Sequence, residues 1–140
     1  MNFVLDASLA MAFVLKDEAT PETDEILDSL GQGAKAFTPA LWRWEVGNVF
    51  LMAERRKRIT LAETHRHLTS LRALPVELDD NAWGEAWNVA PILARKHALT
   101  LYDATYLELA MRRGLPLGSL DTHLRAAAKA EGVKILPEKI

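Results

Sequence analysis

Short apolar runs that end in an aspartate and continue into a helical pattern constrain this chain more than any other feature. They occur in NFVLDAS, in LTLYDATYLELA and in LGSLDTHLRAAA. An apolar run of three or four residues has the length of a buried strand. An acid directly after it stands where a parallel α/β sheet presents side chains to the crevice at the carboxyl ends of its strands. Asp6, Asp103 and Asp121 are therefore expected to face one crevice. A fourth acid, Glu45 in LWRWEVGNVF, interrupts an apolar helical face. On a helix it shares a stripe with Leu41, Asn48, Val49 and Met52, so its carboxylate is expected to point inward, where an unpaired charge is costly. Four carboxylates gathered in one place repel one another unless cations are bound.

The rest of the chain supports the same architecture. Strands are predicted at Asn2–Leu5, Ala34–Phe37, Pro75–Leu78, Leu117–Leu120 and Val133–Leu136. Helices are predicted at Ser8–Lys16, from Pro21 to near Gly31 and Gly33, from Pro39 to about Lys57, at Leu61–Ala73, from Ala82 to Lys96, at Asp103–Arg113 and at Asp121–Glu131. Thr38 and Thr60 are expected to cap the third and fourth helices, and Asp79, Asp80 or Asn81 the fifth. Strands alternating with helices argue for a parallel sheet covered on both faces. The two successive helices between Pro39 and Ala73 suggest a helical arm beside it. No linker, repeat or low-complexity tract divides residues 1–140, which read as one domain.

Composition narrows the chemistry. There is no cysteine, which removes disulfides, thiolate nucleophiles and Cys-ligated metals. The 17 basic and 19 acidic residues give a net charge of −2, so no global positive field marks a nucleic-acid binder. Without the four site acids, 15 acidic residues remain against the 17 basic ones. The longest apolar run, Leu9 to Leu15, is far too short to span a bilayer, and MNFVLDAS lacks a basic leader, so a soluble, cytoplasmic protein is expected. No P-loop, G-x-G-x-x-G or G-x-S-x-G sequence occurs.

Each aspartate alone is explained by helix capping, because an N-terminal Asp accepts backbone N–H groups. Glu45 is explained alone by a buried ion pair with Arg43 or Arg95. Taken together, the four acids suit a hard divalent cation, Mg²⁺ or Mn²⁺, which takes oxygen ligands and keeps several waters. Such an ion can generate a hydroxide nucleophile and offset charge on a phosphodiester.

DAS after the first strand, the E-x-x-N pair Glu45 and Asn48, YDATYLELA from Tyr102 to Ala110, and S-L-D-x-x-L-x-x-A-A from Ser119 to Ala128 resemble PIN-domain ribonucleases. Their order and spacing resemble most the VapC toxins of bacterial toxin–antitoxin pairs, over essentially the whole chain. The resemblance implies a three-layer α/β PIN-like fold, with a five-stranded parallel sheet of order 3-2-1-4-5 and a helical clip used in dimerisation. It further implies a Mg²⁺-dependent endoribonuclease acting on transfer or ribosomal RNA through a metal-activated water. Mn²⁺ is expected to substitute for Mg²⁺. The family's acidic quartet falls on Asp6, Glu45, Asp103 and Asp121, with Ser8, Ser119 and Asn48 in support. Some relatives carry a further acid where Leu124 stands, which leaves one or two metals open. A homodimer and a VapB-like antitoxin that occludes the acidic pocket are the implied partners.

The densest basic run, Arg55, Arg56, Lys57 and Arg58, reads as a solvated helix end whose cations suit the dipole. Tracking of an RNA backbone is its functional alternative. His65 and His67 are expected on the surface, and the tryptophans in the core or at an interface. A nonenzymatic reading stands beside the nuclease: a receiver-like or scaffolding domain that binds Mg²⁺ and acts through protein partners. Acids on three strand ends and an inward helix face favour hydrolysis over phosphoryl acceptance.

Overall fold

The computed structural model describes residues 1–81 and 84–140. Five short strands, β1 (Phe3–Leu5), β2 (Ala36–Thr38), β3 (Val76–Leu78), β4 (Leu117–Gly118) and β5 (Ile135–Leu136), form one parallel sheet of order β3-β2-β1-β4-β5. Between them run α1 (Ala7–Val14), α2 (Pro21–Gly31), α3 (Leu41–Arg55), α4 (Leu61–Arg72), α5 (Glu85–His97), α6 (Leu101–Arg113) and α7 (Thr122–Ala130).

The chain steps from β1 to β2 to β3 in one direction, then returns past β1 to β4 and β5. Right-handed crossovers put α1–α4 on one face of the sheet and α5–α7 on the other. The packing agrees: α3 and α4 lie on each other and on α1, whereas α6 packs on α5, α7, β1 and β4. The reversal falls between β1 and β4, the switch point beside whose strand carboxyl ends sheets of this kind form a crevice. β1 is wholly buried, and its Phe3, Val4 and Leu5 share a core with Leu9, Phe50, Leu107, Leu117 and Leu124.

Caps explain most boundaries. The Asp6 side chain accepts the Leu9 N–H to start α1, and Asp121 accepts that of Leu124 to start α7. Thr20 with Thr23, and Thr60 with Glu63, form reciprocal capping boxes at α2 and α4. α6 ends at Gly114, whose φ of 64° lies in the left-handed region.

Several predicted boundaries are corrected. Thr38 belongs to β2 rather than capping α3, which starts from Ala40 without a side-chain cap. Asp79 turns its carboxylate to Arg112 and Arg113, and Gly84 occupies the cap position of α5. The predicted start of that helix at Ala82, and Trp83 of the Trp83–Trp87 pair, lie outside the described residues. α6 starts at Leu101, so LTLYD is a helix start rather than a strand end. His67 stacks on Phe50 with ring centroids 5.5 Å apart.

Gly118 sets how closely β4 approaches β1. A Cβ there would stand 2.7 Å from Leu9 Cδ2, 3.1 Å from Phe3 Cδ2 and 3.1 Å from the Val4 carbonyl oxygen. Leu9 and Phe3 are buried, so neither moves freely. Gly118→Ala is expected to destabilise the fold by about 1–3 kcal/mol through overpacking. Urea denaturation measures this, and an unchanged midpoint would show that the strand spacing has slack.

Candidate active site

Four carboxylates reach the crevice from four elements. Asp6 follows β1, Glu45 lies in α3, Asp103 in the first turn of α6, and Asp121 caps α7. Asp6 is the most enclosed, at 4% exposure. Its Oδ1 accepts from the Leu9 backbone at 2.9 Å and from Ser8 Oγ at 2.7 Å, and its Oδ2 accepts from Ser119 Oγ at 2.5 Å. These hydroxyls are tied down in turn. Ser8 Oγ accepts the Leu120 N–H at 2.9 Å, and Ser119 Oγ accepts the Asp121 N–H at 3.0 Å. The ends of β1 and β4 are thus stitched together through one carboxylate.

Ser8 and Ser119, expected in support of the acids, both donate their hydroxyls to Asp6. Asn48 is placed elsewhere. It is exposed and lines a cavity of about 720 Å³ between the end of α1, α3 and α4, together with Arg56, Arg58, Lys16 and Arg66. Arg55 and Lys57 are exposed nearby at the end of α3. None of the four cations in the basic run pairs with a site acid among the described residues, and Arg58 instead meets Asp17 at 3.4 Å.

Capping accounts for the acids unevenly. Asp6 and Asp121 do cap helices. Asp103 does not: Thr100 caps α6, and its Oγ1 accepts the Asp103 N–H at 3.1 Å. The buried stripe of α3 is Trp42, Val46, Phe50 and Ala53, one position round from the predicted one. Glu45 therefore sits half-buried at its edge. Its carboxylate Oε1 accepts from the Tyr106 hydroxyl at 2.5 Å, while Arg43 lies over the Trp44 ring.

The acids disturb one another's protonation. Burial pushes the Asp6 carboxyl up to about 6, against the lowering bonds from Ser119, Leu9 and Ser8, with the Asp103 charge adding to the rise. Burial also raises Glu45, opposed by the Tyr106 bond and reinforced by Asp103. Asp103 is raised by burial and by Asp121, with Thr100 and His123 acting the other way. Asp103 thus sits electrostatically between the other three. Arg125, buried behind the site, donates to the Ser119 carbonyl at 2.9 Å and to that of Glu138 at 3.3 Å. Its charge faces that of Asp6.

Among the described residues, no three acidic or histidine side chains close tightly enough to grip a metal ion by themselves. All four donors are hard oxygens with surplus negative charge, a set suited to a cation that keeps part of its hydration shell. Tyr106 and Arg125 are the site residues that sequence reasoning missed. For Tyr106 a signal was present, because it stands three positions after Asp103 on the same helical face, and a buried phenol needs a hydrogen-bond partner.

The sequence profile of the family described as PIN domain matches residues 3–132. The chain belongs to the PIN-domain family. This PIN domain is 30% identical to Ribonuclease VapC3 of Pyrobaculum aerophilum over 124 residues, which span 89% of this chain and 92% of that protein. Its fold is similar to the crystal structure of PAE2754 from the same organism, with a TM-score of 0.71 and 23% identity over 96% of this chain and 92% of that one. It is also similar to VapBC2 from Rickettsia felis, bound to a DNA fragment from its promoter. There the TM-score is 0.67 and the identity 10%, over 96% of this chain and 97% of that one. The sheet order and the expected family are as predicted. Among the described residues of this PIN domain, no helix is long and apolar enough to cross a membrane.

Proposed function

We propose that this PIN domain is a Mg²⁺-dependent endoribonuclease, the toxin member of a type II toxin–antitoxin pair. The observation that carries the reading is Asp6, a buried carboxylate locked by two hydroxyls and a backbone N–H beside three further acids. Structural burial of an acid normally recruits a cation from the chain itself. Here no cation bonds to the four acids among the described residues: Arg125 spends its bonds on the Ser119 and Glu138 carbonyls and meets Asp6 only through its charge.

Asp6, Asp103 and Asp121 would hold a divalent cation, partly through waters, and such an ion would supply activation of water and offset charge on the phosphodiester. Ser8 and Ser119 hold the Asp6 oxygens in one orientation. Glu45 would complete that acid set or orient the attacking water. Hydrolysis leaves a 5′-phosphate and a 3′-hydroxyl. The exposed cations Arg55, Arg56, Lys57 and Arg58 contribute backbone phosphate contacts.

The ribonuclease name of the Pyrobaculum relative supports the RNA substrate, and the VapBC pairing in the Rickettsia structure supports an antitoxin. That partner, VapB-like, places an Arg or Lys among the carboxylates, where a guanidinium bonds bidentately. The free protein is a cytoplasmic homodimer that acts on transfer or ribosomal RNA. Incubation of pure protein with total RNA in Mg²⁺, Mn²⁺ or EDTA, with mapping of new 5′ ends, tests the reading. Discrete cuts with either metal and none in EDTA are expected. Undiminished cleavage in EDTA would overturn the mechanism, and no cleavage under any condition would favour a scaffolding role.

A further inference from the structure

Tyr106 is buried at 1% exposure, and its hydroxyl ends on the Glu45 carboxylate. The contact joins α6, which packs on the sheet, to α3, which belongs to the helical arm. Asp103 and Tyr106 lie three residues apart in α6, so both address the crevice. Glu45 is a long side chain at the edge of a buried stripe, with three torsions free to carry it into solvent. The like charge of Asp103 drives it that way. One fixed O–H opposes both tendencies.

Resting on the nuclease reading above, we infer that Tyr106 is a positioning residue. Its hydroxyl holds the Glu45 carboxylate in the crevice against repulsion from Asp103, so that the arm delivers its acid to the site. A phenylalanine fills the same core space, which makes the hydroxyl separable from the ring. Groups that orient a metal-site carboxylate contribute about 10- to 100-fold to affinity or activity.

Tyr106→Phe is therefore expected to lower kcat about 10- to 100-fold with KM for RNA unchanged, and to weaken Mg²⁺ binding, measured by calorimetry, to a similar extent. In a Glu45→Ala background the same substitution should change neither quantity, because the residue it positions is gone. Tyr106→Phe with wild-type kcat and Mg²⁺ affinity, or with an undiminished loss in the Glu45→Ala background, overturns the role. The chain has only two tyrosines, so a second measurement leaves Tyr106 in place. In 3-fluorotyrosine-labelled protein, with the lines assigned by Tyr102→Phe, the Tyr106 fluorine signal should move on Mg²⁺ addition and lose that response in Glu45→Ala. Should Tyr106→Phe not fold, a Tyr106 signal indifferent to Glu45→Ala overturns the inference. A wild type that neither binds Mg²⁺ nor cleaves RNA removes the nuclease reading itself, and this inference with it.

Discussion

Asp6→Asn is expected to reduce RNA cleavage by more than about 100-fold while making the metal-free protein more stable. The loss should exceed the effect of removing a supporting group, because Asp6 is itself the enclosed acid. The gain follows from linkage. Burial raises the folded-state carboxyl from the ordinary 3.8 to about 6. Between those values the folded protein holds a proton that the unfolded chain has released, so wild-type stability falls as pH rises from about 4 to about 6. Above that window the ionised group costs roughly 3 kcal/mol, less whatever the asparagine loses in hydrogen bonding to Ser8 and Ser119. Denaturation in EDTA across this range should show a steeper fall in wild type than in the variant, where only the raised Glu45 and Asp103 carboxyls remain. The same proton competes with a cation, so wild-type cleavage should decline below about pH 6. A variant that cleaves at the wild-type rate, or that is less stable than wild type in EDTA near neutral pH, would refute this account of Asp6.

Asp79→Ala is expected to be the most damaging substitution for stability, with a loss of about 3–5 kcal/mol. Arg112 donates to Asp79 Oδ1 and Oδ2 at 3.1 and 2.6 Å and to Glu108 Oε2 at 2.9 Å, and Arg113 adds a bond to Asp79 at 3.2 Å. Asp79 and Glu108 are both buried. Burial works against ionisation of Asp79, but the two guanidinium groups overcome it and hold its carboxyl below the usual range. Removing it leaves Arg112 with one partner and takes the only ion-pair partner from Arg113 among the described residues. For a chain of this length the melting temperature should drop by roughly 10 °C or more. A drop of only a few degrees would mean that Glu108 alone satisfies the cluster.

What the sequence made legible divides along a physical line. Periodicity and turn chemistry are local, and they located all five strands and both helices of the arm. The acids at 6 and 121 follow apolar runs closely enough to be placed by that logic. Asp103 was assigned to the crevice for the wrong local reason, since LTLY forms the start of a helix capped by Thr100 rather than a strand. Its charge nevertheless acts on Asp6 and Glu45, raising both carboxyls. Glu45 shows the converse: its stripe was displaced by one residue because Trp42, rather than Leu41, is the buried anchor of α3. The Asp79 cluster and the Tyr106 bond join residues 33 and 61 positions apart, and no window of sequence reports such pairings.

The bond from Ser119 to Asp6 closes a loop of 113 positions, and β1 lies between β2 and β4 in the sheet. During synthesis the first strand leaves the ribosome long before the strand that completes its second edge. Contacts of such sequence separation form late. Any nascent or proteolysed fragment ending before β4 lacks Asp121, the Ser119 bond to Asp6 and the closing strands of the sheet. A growing polypeptide of this design carries Asp6, Glu45 and Asp103 before the strand that completes their surroundings exists, so the full acid set is assembled only once β4 and the first turn of α7 have emerged.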